Sequence, residues 1–98
     1  MFNWVCPVTQ LQWCSSIYTY ILRSHKDDKN YIGYTNNLRR RIEEHNRGKN
    51  FSTKPRLPMK LIYFEACLNE DDAKQREKYF KSTIGRRFLK KRLRRYFT

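Results

Sequence analysis

Five side chains, spread along the chain, carry the functional groups that hydrolysis of a phosphodiester requires. They are Tyr20, Tyr31, Arg41, His45 and Glu77. A phenol or an imidazole can transfer a proton, a guanidinium can hold a charged phosphoryl group, and a carboxylate can bind a divalent metal ion. They can act together only if the fold brings them to one place, so the elements that carry them come next.

The chain is strongly basic. Its 98 residues include 22 Lys and Arg against 9 Asp and Glu, a net charge of +13. This excess predicts a polyanionic partner, because each phosphate that a protein neutralises releases condensed counterions and adds salt-sensitive affinity. DNA is the expected partner, while the charge alone also fits RNA or a basic protein of the ribosomal type. The length allows one domain with a modest core.

Both tyrosines lie in a predicted β-hairpin. Residues 17–23 (IYTYILR) and 31–35 (YIGYT) are rich in β-branched and aromatic side chains, which favours strands. The polar residues 25–30 between them predict a turn, so that the two strands pair in antiparallel fashion. In such a hairpin Tyr20 and Tyr31 are expected near one another on the sheet.

The arginine and the histidine fall in a predicted helix. Asn36 or Asn37 can cap its start, the helix runs to about Arg47, and Gly48 suits its end. Their i, i+3, i+4 and i+7 spacing places four residues on one face: Leu38, Arg41, Ile42 and His45. Two ionisable side chains therefore point inward from a face where stability alone favours apolar residues.

Glu77 belongs to a later helix. Residues 60–65 (KLIYFE) predict a third, largely buried strand, and Asn69 can cap the helix that follows. Glu77 shares a helical face with Phe80, so it is expected to point toward the core or a cleft. A carboxylate there is costly unless it is paired or bound to a metal ion. A salt bridge to one of the arginines and a metal site are both open.

The chain ends in a second basic segment. Gly85 predicts a break, and residues 86–97 predict a final helix with an apolar stripe and seven Lys or Arg. Packing of that stripe against the domain is the first expectation. The basic side of such a helix can also contact a nucleic-acid backbone or an acidic membrane surface.

These elements predict one α+β domain over residues 17–98, with a small three-stranded antiparallel sheet and about three helices. Residues 1–16 are interpreted as an extension of unknown role. The three cysteines form no CxxC pair and no zinc-binding spacing, which favours reduced thiols in the cytoplasm over a zinc site. No apolar run approaches the length of a membrane span, so no membrane partner is expected.

With these elements in order, residues 18–96 resemble the GIY-YIG nuclease family. The first motif reads Tyr18-Thr19-Tyr20 and lacks the family's glycine, whereas the second is intact as Tyr31-Ile32-Gly33. The segments that follow the motifs also agree in order and spacing: Arg41, His45-Asn46-Arg47-Gly48-Lys49 and Ala73-Lys74-Gln75-Arg76-Glu77. The likeness is to the small, stand-alone bacterial members, which look like the nuclease domain of the excision-repair incision subunit.

The resemblance implies a role for each of the five residues. Tyr20 and Tyr31 are similar to the family's paired tyrosines, one of which orients or deprotonates the attacking water. Tyr31 is the preferred general base, with His45 as its proton acceptor or as a direct alternative, because a phenol near its free pKa of about 10 is a poor base at neutral pH. Arg41 is expected to contact the scissile phosphate, and Glu77 to bind one Mg²⁺ or Mn²⁺. All five are expected to line one concave surface.

Further contacts with nucleic acid are expected outside these five positions. Gly33 is expected to let the backbone approach the phosphate closely. Four basic residues of the helix and the following loop complete the expected nucleic-acid interface: Arg40, Lys49, Lys54 and Arg56.

The resemblance therefore implies a metal-dependent DNA endonuclease of low sequence specificity, directed by DNA structure, by a repair pathway or by a partner protein. The alternative is a basic nucleic-acid-binding module that keeps the fold without catalysis. The better-studied family members place an asparagine beyond the metal-binding glutamate, and no asparagine follows Glu77 here. Metal-dependent cleavage distinguishes the two hypotheses.

Overall fold

The computed structural model describes residues 16–98, and its centre is a three-stranded antiparallel sheet. The strands are β1 (Ile17–Ser24), β2 (Asn30–Thr35) and β3 (Met59–Cys67), in the order β2-β1-β3. The predicted α+β class and the antiparallel sheet are confirmed. The extension expected over residues 1–16 lies outside the described residues, apart from Ser16.

The hairpin of β1 and β2 forms as its sequence predicts. Tyr20 is opposite Gly33, and Leu22 is opposite Tyr31. Because side chains alternate between the two faces of a strand, Tyr20 and Leu22 point to one face of the sheet while Ile21 points to the other. This alternation separates the core into two parts.

The helix that carries Arg41 and His45 is α1 (Leu38–Asn46). Its cap is Asn37, whose side-chain oxygen accepts a hydrogen bond from the backbone N–H of Arg40 at 3.1 Å. The helix ends before Gly48, whose φ of 77° lies in the left-handed region that glycine adopts readily. Both predicted ends are confirmed to within a residue.

Three helices follow β3. They are α2 (Glu70–Lys81), α3 (Thr83–Arg92) and the single-turn α4 (Arg94–Phe97), which makes four α-helices in the described residues. The predicted break at Gly85 is wrong, because Gly85 is buried inside α3 and the break lies at Ser82. A Cβ atom at position 85 would overlap the carbonyl group of Tyr79, so glycine here allows α3 to start close against the end of α2. The single helix predicted over residues 86–97 divides at Leu93.

We call the two sides of the sheet the front face and the back face. The front face packs Tyr20, Leu22 and Met59 against the inward side of α1. The back face packs Ile21 against Phe80 of α2 and Leu89 of α3. The hydroxyl of Thr19 donates to the carbonyl of Ala73 at 3.3 Å and ties the start of α2 to this face.

The third strand is less buried than predicted. It pairs with β1 alone, so it is an edge of the sheet in the described residues. Phe64 and Ala66 are exposed, and Phe64 retains 48% of its accessible surface. In the described part of the chain, no helix is both long and apolar enough to cross a lipid bilayer.

Candidate active site

Tyr20 lies at the centre of the site, buried on the front face with 1% of its surface exposed. Its hydroxyl is 3.0 Å from Nε2 of His45. A Cβ atom added at Gly33, the cross-strand neighbour of Tyr20, would lie 2.6 Å from the Tyr20 hydroxyl oxygen. Because glycine has no Cβ atom, the phenol of Tyr20 occupies the space that a larger side chain at position 33 would need. Gly33 thus has a structural role, which is to make room for Tyr20, and its expected role in phosphate approach stays a prediction.

His45 is fully buried, and both of its ring nitrogens have partners. Nδ1 lies 2.8 Å from the hydroxyl of Thr53, which is also fully buried. Burial, reinforced by the positive charge of Arg41, lowers the pKa of His45 to about 4. The imidazole is therefore neutral at pH 7, with one nitrogen available as an acceptor.

Thr53 is a site residue that the sequence did not reveal. It lies in the loop after α1, and nothing in its spacing to His45 distinguishes it from Ser52 or other loop hydroxyls. Its backbone N–H is held by the side chain of Asn50 at 3.2 Å, which fixes the loop beneath the imidazole. The usable signal was only that a buried histidine needs two partners.

The Tyr20 hydroxyl keeps its proton at neutral pH. Burial raises the pKa of Tyr20 to about 12, with smaller contributions from Tyr31 and Glu77, while Arg41 opposes the rise. Tyr20 is thus a neutral phenol rather than a phenolate, and it shares a hydrogen bond with Nε2 of His45.

Tyr31 completes the aromatic part of the site. Its ring centroid is 4.9 Å from that of His45 and 6.4 Å from that of Tyr20, which confirms the expected proximity of the two tyrosines. Tyr31 is half-buried, so it is the more accessible phenol. Nε2 of His45 is hydrogen-bonded to Tyr20 rather than to Tyr31. The role of His45 as the proton acceptor of Tyr31 therefore stays a prediction.

Arg41 lies beside the tyrosines with about a third of its side chain exposed. Its Nη1 donates to the carboxylate of Glu44 at 3.0 Å. Burial alone lowers the pKa of Arg41, but the hydroxyl of Tyr20 and the carboxylate of Glu44 outweigh burial and raise it. Glu44 is a second residue that the sequence did not reveal as part of the site, because its i,i+4 spacing to Arg40 is typical of an ion pair on an exposed helix face.

Glu77 enters from a different direction than the other four residues. It projects from α2, whose core residue Phe80 packs on the back face, and its partner in the described residues is Lys81 at 3.5 Å. The salt bridge is therefore to a lysine rather than to an arginine. Glu77 is close enough for its charge to contribute to the pKa of Tyr20. A single concave surface shared by all five residues stays a prediction.

The donors around Glu77 suit a magnesium ion better than a zinc ion. In the described part of the chain, no three His, Cys, Asp or Glu side chains converge on one point. Mg²⁺ commonly retains several water ligands and binds through one or two carboxylates together with phosphate oxygens of the substrate. A half-buried carboxylate with 22% of its side chain exposed fits that mode of binding.

The expected nucleic-acid contacts divide into two groups. Lys49 and Lys54 are exposed beside the site, and Arg40 is exposed with a long ion pair of 3.8 Å to Glu44. Arg56 is different, because its Nε donates to Asp27 at 3.1 Å and its Nη2 to the carbonyl of Asn30 at 3.4 Å. Arg56 therefore joins the loop after α1 to the turn of the hairpin, and its assignment to the interface stays a prediction.

Comparisons with known proteins found similar sequences. The model of the GIY-YIG catalytic domain matches residues 16–92. A UPF0213 protein of Clostridium perfringens is 48% identical over 65 residues, which are 65% of this chain and 69% of that protein. A UPF0213 protein of Bacillus licheniformis is 46% identical over 68% of this chain and 69% of its own length. One from Pediococcus pentosaceus is 43% identical over 79% of this chain and 84% of its own length. No solved structure matches the chain significantly.

Proposed function

Since this chain belongs to the GIY-YIG family of nuclease domains, we propose that it is a divalent-metal-dependent endonuclease that hydrolyses phosphodiester bonds in DNA with low sequence specificity. The observation that carries the proposal is the buried pair of Tyr20 and His45. A fold maintained for binding alone has no need for a phenol hydrogen-bonded to a neutral, fully buried imidazole. Such a pair is suited to moving a proton.

The two tyrosines have different roles in this proposal. Tyr31, the accessible phenol, holds the attacking water, and the oxygen of Tyr20 accepts the proton of that water as its own proton passes to Nε2 of His45. Neither step requires a phenolate in the resting enzyme, which agrees with the pKa of Tyr20 near 12. Direct deprotonation of the water by Tyr31 is the alternative route.

Binding of the substrate makes His45 a better base. At pH 7 an imidazole with a pKa of about 4 costs about 4 kcal/mol to protonate. Part of this depression comes from the charge of Arg41, and a phosphate held by Arg41 would offset that charge. The pKa of His45 then rises when the substrate is bound, so that proton transfer is favoured only in the complex.

Arg41 and Glu77 act on the phosphate from two sides. Arg41 is held in place by Glu44 and stabilises the charge that develops on the phosphoryl oxygens. Glu77 would bind Mg²⁺ or Mn²⁺, which when bound stabilises the leaving oxygen. Arg40, Lys49 and Lys54 hold the flanking backbone of a DNA substrate, and a partner protein or the DNA structure directs the enzyme to its target in the cytoplasm.

A non-catalytic nucleic-acid-binding module is the second candidate. The ion pair of Glu77 with Lys81 favours it, because a carboxylate neutralised by a lysine binds a metal ion less readily. The absence of an asparagine after Glu77 points the same way.

Cleavage assays with Glu77→Ala and a matched variant separate the two candidates. Plasmid, single-stranded and branched DNA are incubated with the protein, with and without Mg²⁺ or Mn²⁺. We expect metal-dependent nicking by the wild type and none by Glu77→Ala, whose affinity for DNA stays equal or rises because a negative charge is removed. Glu70→Ala is the control, since Glu70 is an exposed carboxylate of the same helix with its own lysine partner, Lys74, at 3.9 Å. Binding without nicking by the wild type would establish the second candidate.

A further inference from the structure

A groove on the back face lies between the β1–β2 hairpin and α3. Its volume is about 540 Å³. That lies within the range of about 300–1,000 Å³ found for pockets that hold small organic ligands. The front-face site of Tyr20 and His45 shares none of its lining residues.

The rim of the groove is cationic. Five basic side chains line it and no acidic side chain does: Arg23, Lys29, Arg86, Arg87 and Lys90. Positive charges brought together in a concave surface raise the local concentration of anions. The charge of the groove therefore favours an anionic ligand.

The three cations from α3 have no acidic partners in the described residues. Arg86, Arg87 and Lys90 are exposed, and none of them forms an ion pair there. By contrast, Arg41 and Arg76 each hold a carboxylate within 3.0 Å. The rim thus keeps its charge available for a ligand.

The floor of the groove is apolar. Its side chains are Ile32, Phe80, Leu89 and Phe97. Arg23 bridges floor and rim, because its guanidinium carbon lies 5.0 Å above the ring of Phe97 and its Nη1 donates to Asn30 at 3.1 Å. A free phosphate or a duplex backbone would use the rim and leave this floor without a partner.

We infer that the back-face groove binds a single-stranded segment of nucleic acid. Proteins that bind single strands combine a cationic groove for the backbone with apolar and aromatic surface on which bases lie. A duplex keeps its bases stacked inside, whereas a single strand presents base faces and phosphates together. The volume also admits only a short segment of one strand.

The groove lies next to the proposed catalytic site across one edge of the sheet. Tyr31 and Ile32 are neighbours in β2, and their side chains belong to the front and back clusters respectively. A nucleic acid that bends around β2 therefore contacts both sites. As a substrate preference, this inference rests on the proposed nuclease function; as a binding site, it is testable without cleavage.

Two triple variants with equal loss of charge test the groove. The groove variant is Arg86→Gln, Arg87→Gln and Lys90→Gln. The control is Lys91→Gln, Arg94→Gln and Arg95→Gln, which removes three exposed cations from the same end of the chain outside the groove. Binding of a fluorescent single-stranded oligonucleotide and of the matching blunt duplex is measured in EDTA over a range of salt concentrations.

For the groove variant we expect the slope of log K against log[salt] for the single strand to shrink by about two, since three phosphate contacts at about 0.7 each are lost. Affinity for the single strand should fall more than about tenfold at 0.1 M salt, and more than affinity for the duplex. For the control variant, the salt slope and the affinity for the single strand should change by much less. Equal losses for the two triples would overturn the inference, as would loss of binding to phosphatidylserine vesicles with oligonucleotide binding intact.

A measurement on the wild type does not depend on the folding of any variant. Addition of the oligonucleotide should shift the backbone amide NMR signals of Ile32, Arg87 and Phe97, and unchanged signals there would contradict the site. Because EDTA blocks cleavage, the outcomes remain separate from those of the nuclease proposal. Groove binding by a protein that cleaves nothing supports the groove and refutes the nuclease, and cleavage with no groove effect does the reverse.

Discussion

The two faces of the sheet both bury apolar side chains, but they differ in the polar groups that lie among them. On the back face, β1 contributes Ile21 to an aromatic and aliphatic cluster, and the cation within it, Arg76, is held bidentately by Glu65 at 2.9 and 3.0 Å and lies over the rings of Tyr79 and Phe80. On the front face, the buried centre is a chain of hydrogen bonds from Tyr20 through His45 to Thr53.

Apolar and polar groups place different requirements on the parts of the protein that bury them. Apolar burial stabilises by about 25 cal/mol per Å² and needs no exact partner, whereas a buried polar chain must satisfy every atom to avoid a penalty. In the described residues, no buried side-chain nitrogen or oxygen lacks a partner. Both faces bury apolar side chains that stabilise the fold, but the front face also holds polar groups that burial alone disfavours.

Truncation of Phe80 should give the largest effect on stability. Phe80 is 1% exposed at the centre of the back face, so Phe80→Ala should lower the free energy of unfolding by about 3–5 kcal/mol. Denaturant unfolding measures the change. Phe64→Ala is the control, because Phe64 is 48% exposed on β3 and should cost below about 1 kcal/mol. Similar losses for the two variants would contradict the central place of Phe80 in the buried cluster of the back face.

Arg41→Ala should affect catalysis with little effect on folding. Loss of one preorganised contact to a developing oxyanion lowers the rate about 10²–10³-fold, and only one of many cations that bind DNA is removed. Single-turnover cleavage rates, DNA affinity and unfolding midpoints are measured together. Arg39→Ala removes an exposed arginine from the outer side of the same helix and should leave the rate nearly unchanged. A fall in unfolding midpoint that matched the fall in rate would assign Arg41 a structural role.

Removal of the Thr53 hydroxyl tests the hydrogen bond that holds the imidazole of His45 on the front face. Thr53→Val keeps the shape of the side chain but leaves Nδ1 of His45 without its partner, so it should lower the free energy of unfolding by about 1–3 kcal/mol. Thr53→Ser restores the hydroxyl and should recover most of the loss. The ¹⁵N NMR signals of the His45 ring should report a changed tautomer balance in Thr53→Val alone; an unchanged balance would show that Thr53 does not orient the imidazole.

The smallest expected effect is the pH dependence that His45 imposes on stability. The pKa of His45 is about 4 in the folded protein against an ordinary value of 6.5, so the unfolded state binds more protons between these values. Stability from this group is present above pH 6.5 and is lost as the pH falls toward 4. Between pH 6.5 and 5.5 the loss should be about 1 kcal/mol. Unfolding curves of the wild type should show this slope, and His45→Gln should remove it.

Local pattern predicted the three strands, the helix α1 and the inward residues that α1 contributes to the site. The spacing of Leu38, Arg41, Ile42 and His45 placed both ionisable groups correctly, because one helix with clear caps determines its own faces. The hairpin brought Tyr20 and Tyr31 together for the same reason, since strand pairing follows from a short turn.

Contacts between distant segments were beyond the same reasoning. The hydrogen bond of His45 to Thr53 depends on how the loop after α1 folds back. The hydrogen bond of Arg56 to Asp27 joins residues that are 29 positions apart in the sequence. Gly85 was misinterpreted because a glycine that breaks a helix and one that lets two helices approach closely look alike in sequence. Only the carbonyl of Tyr79 distinguishes them.

The contact between Tyr20 and Gly33 has an evolutionary consequence. Any larger residue at position 33 would displace the phenol, since its Cβ would lie 2.6 Å from the hydroxyl oxygen and 2.8 Å from the carbon that bears it. In this lineage the two positions should therefore be inherited as a pair. Where a descendant has lost the tyrosine, selection on the glycine ends and alanine or serine should accumulate there. Drift at position 33 would then mark, in a set of related genes, the branches in which this catalytic centre has decayed.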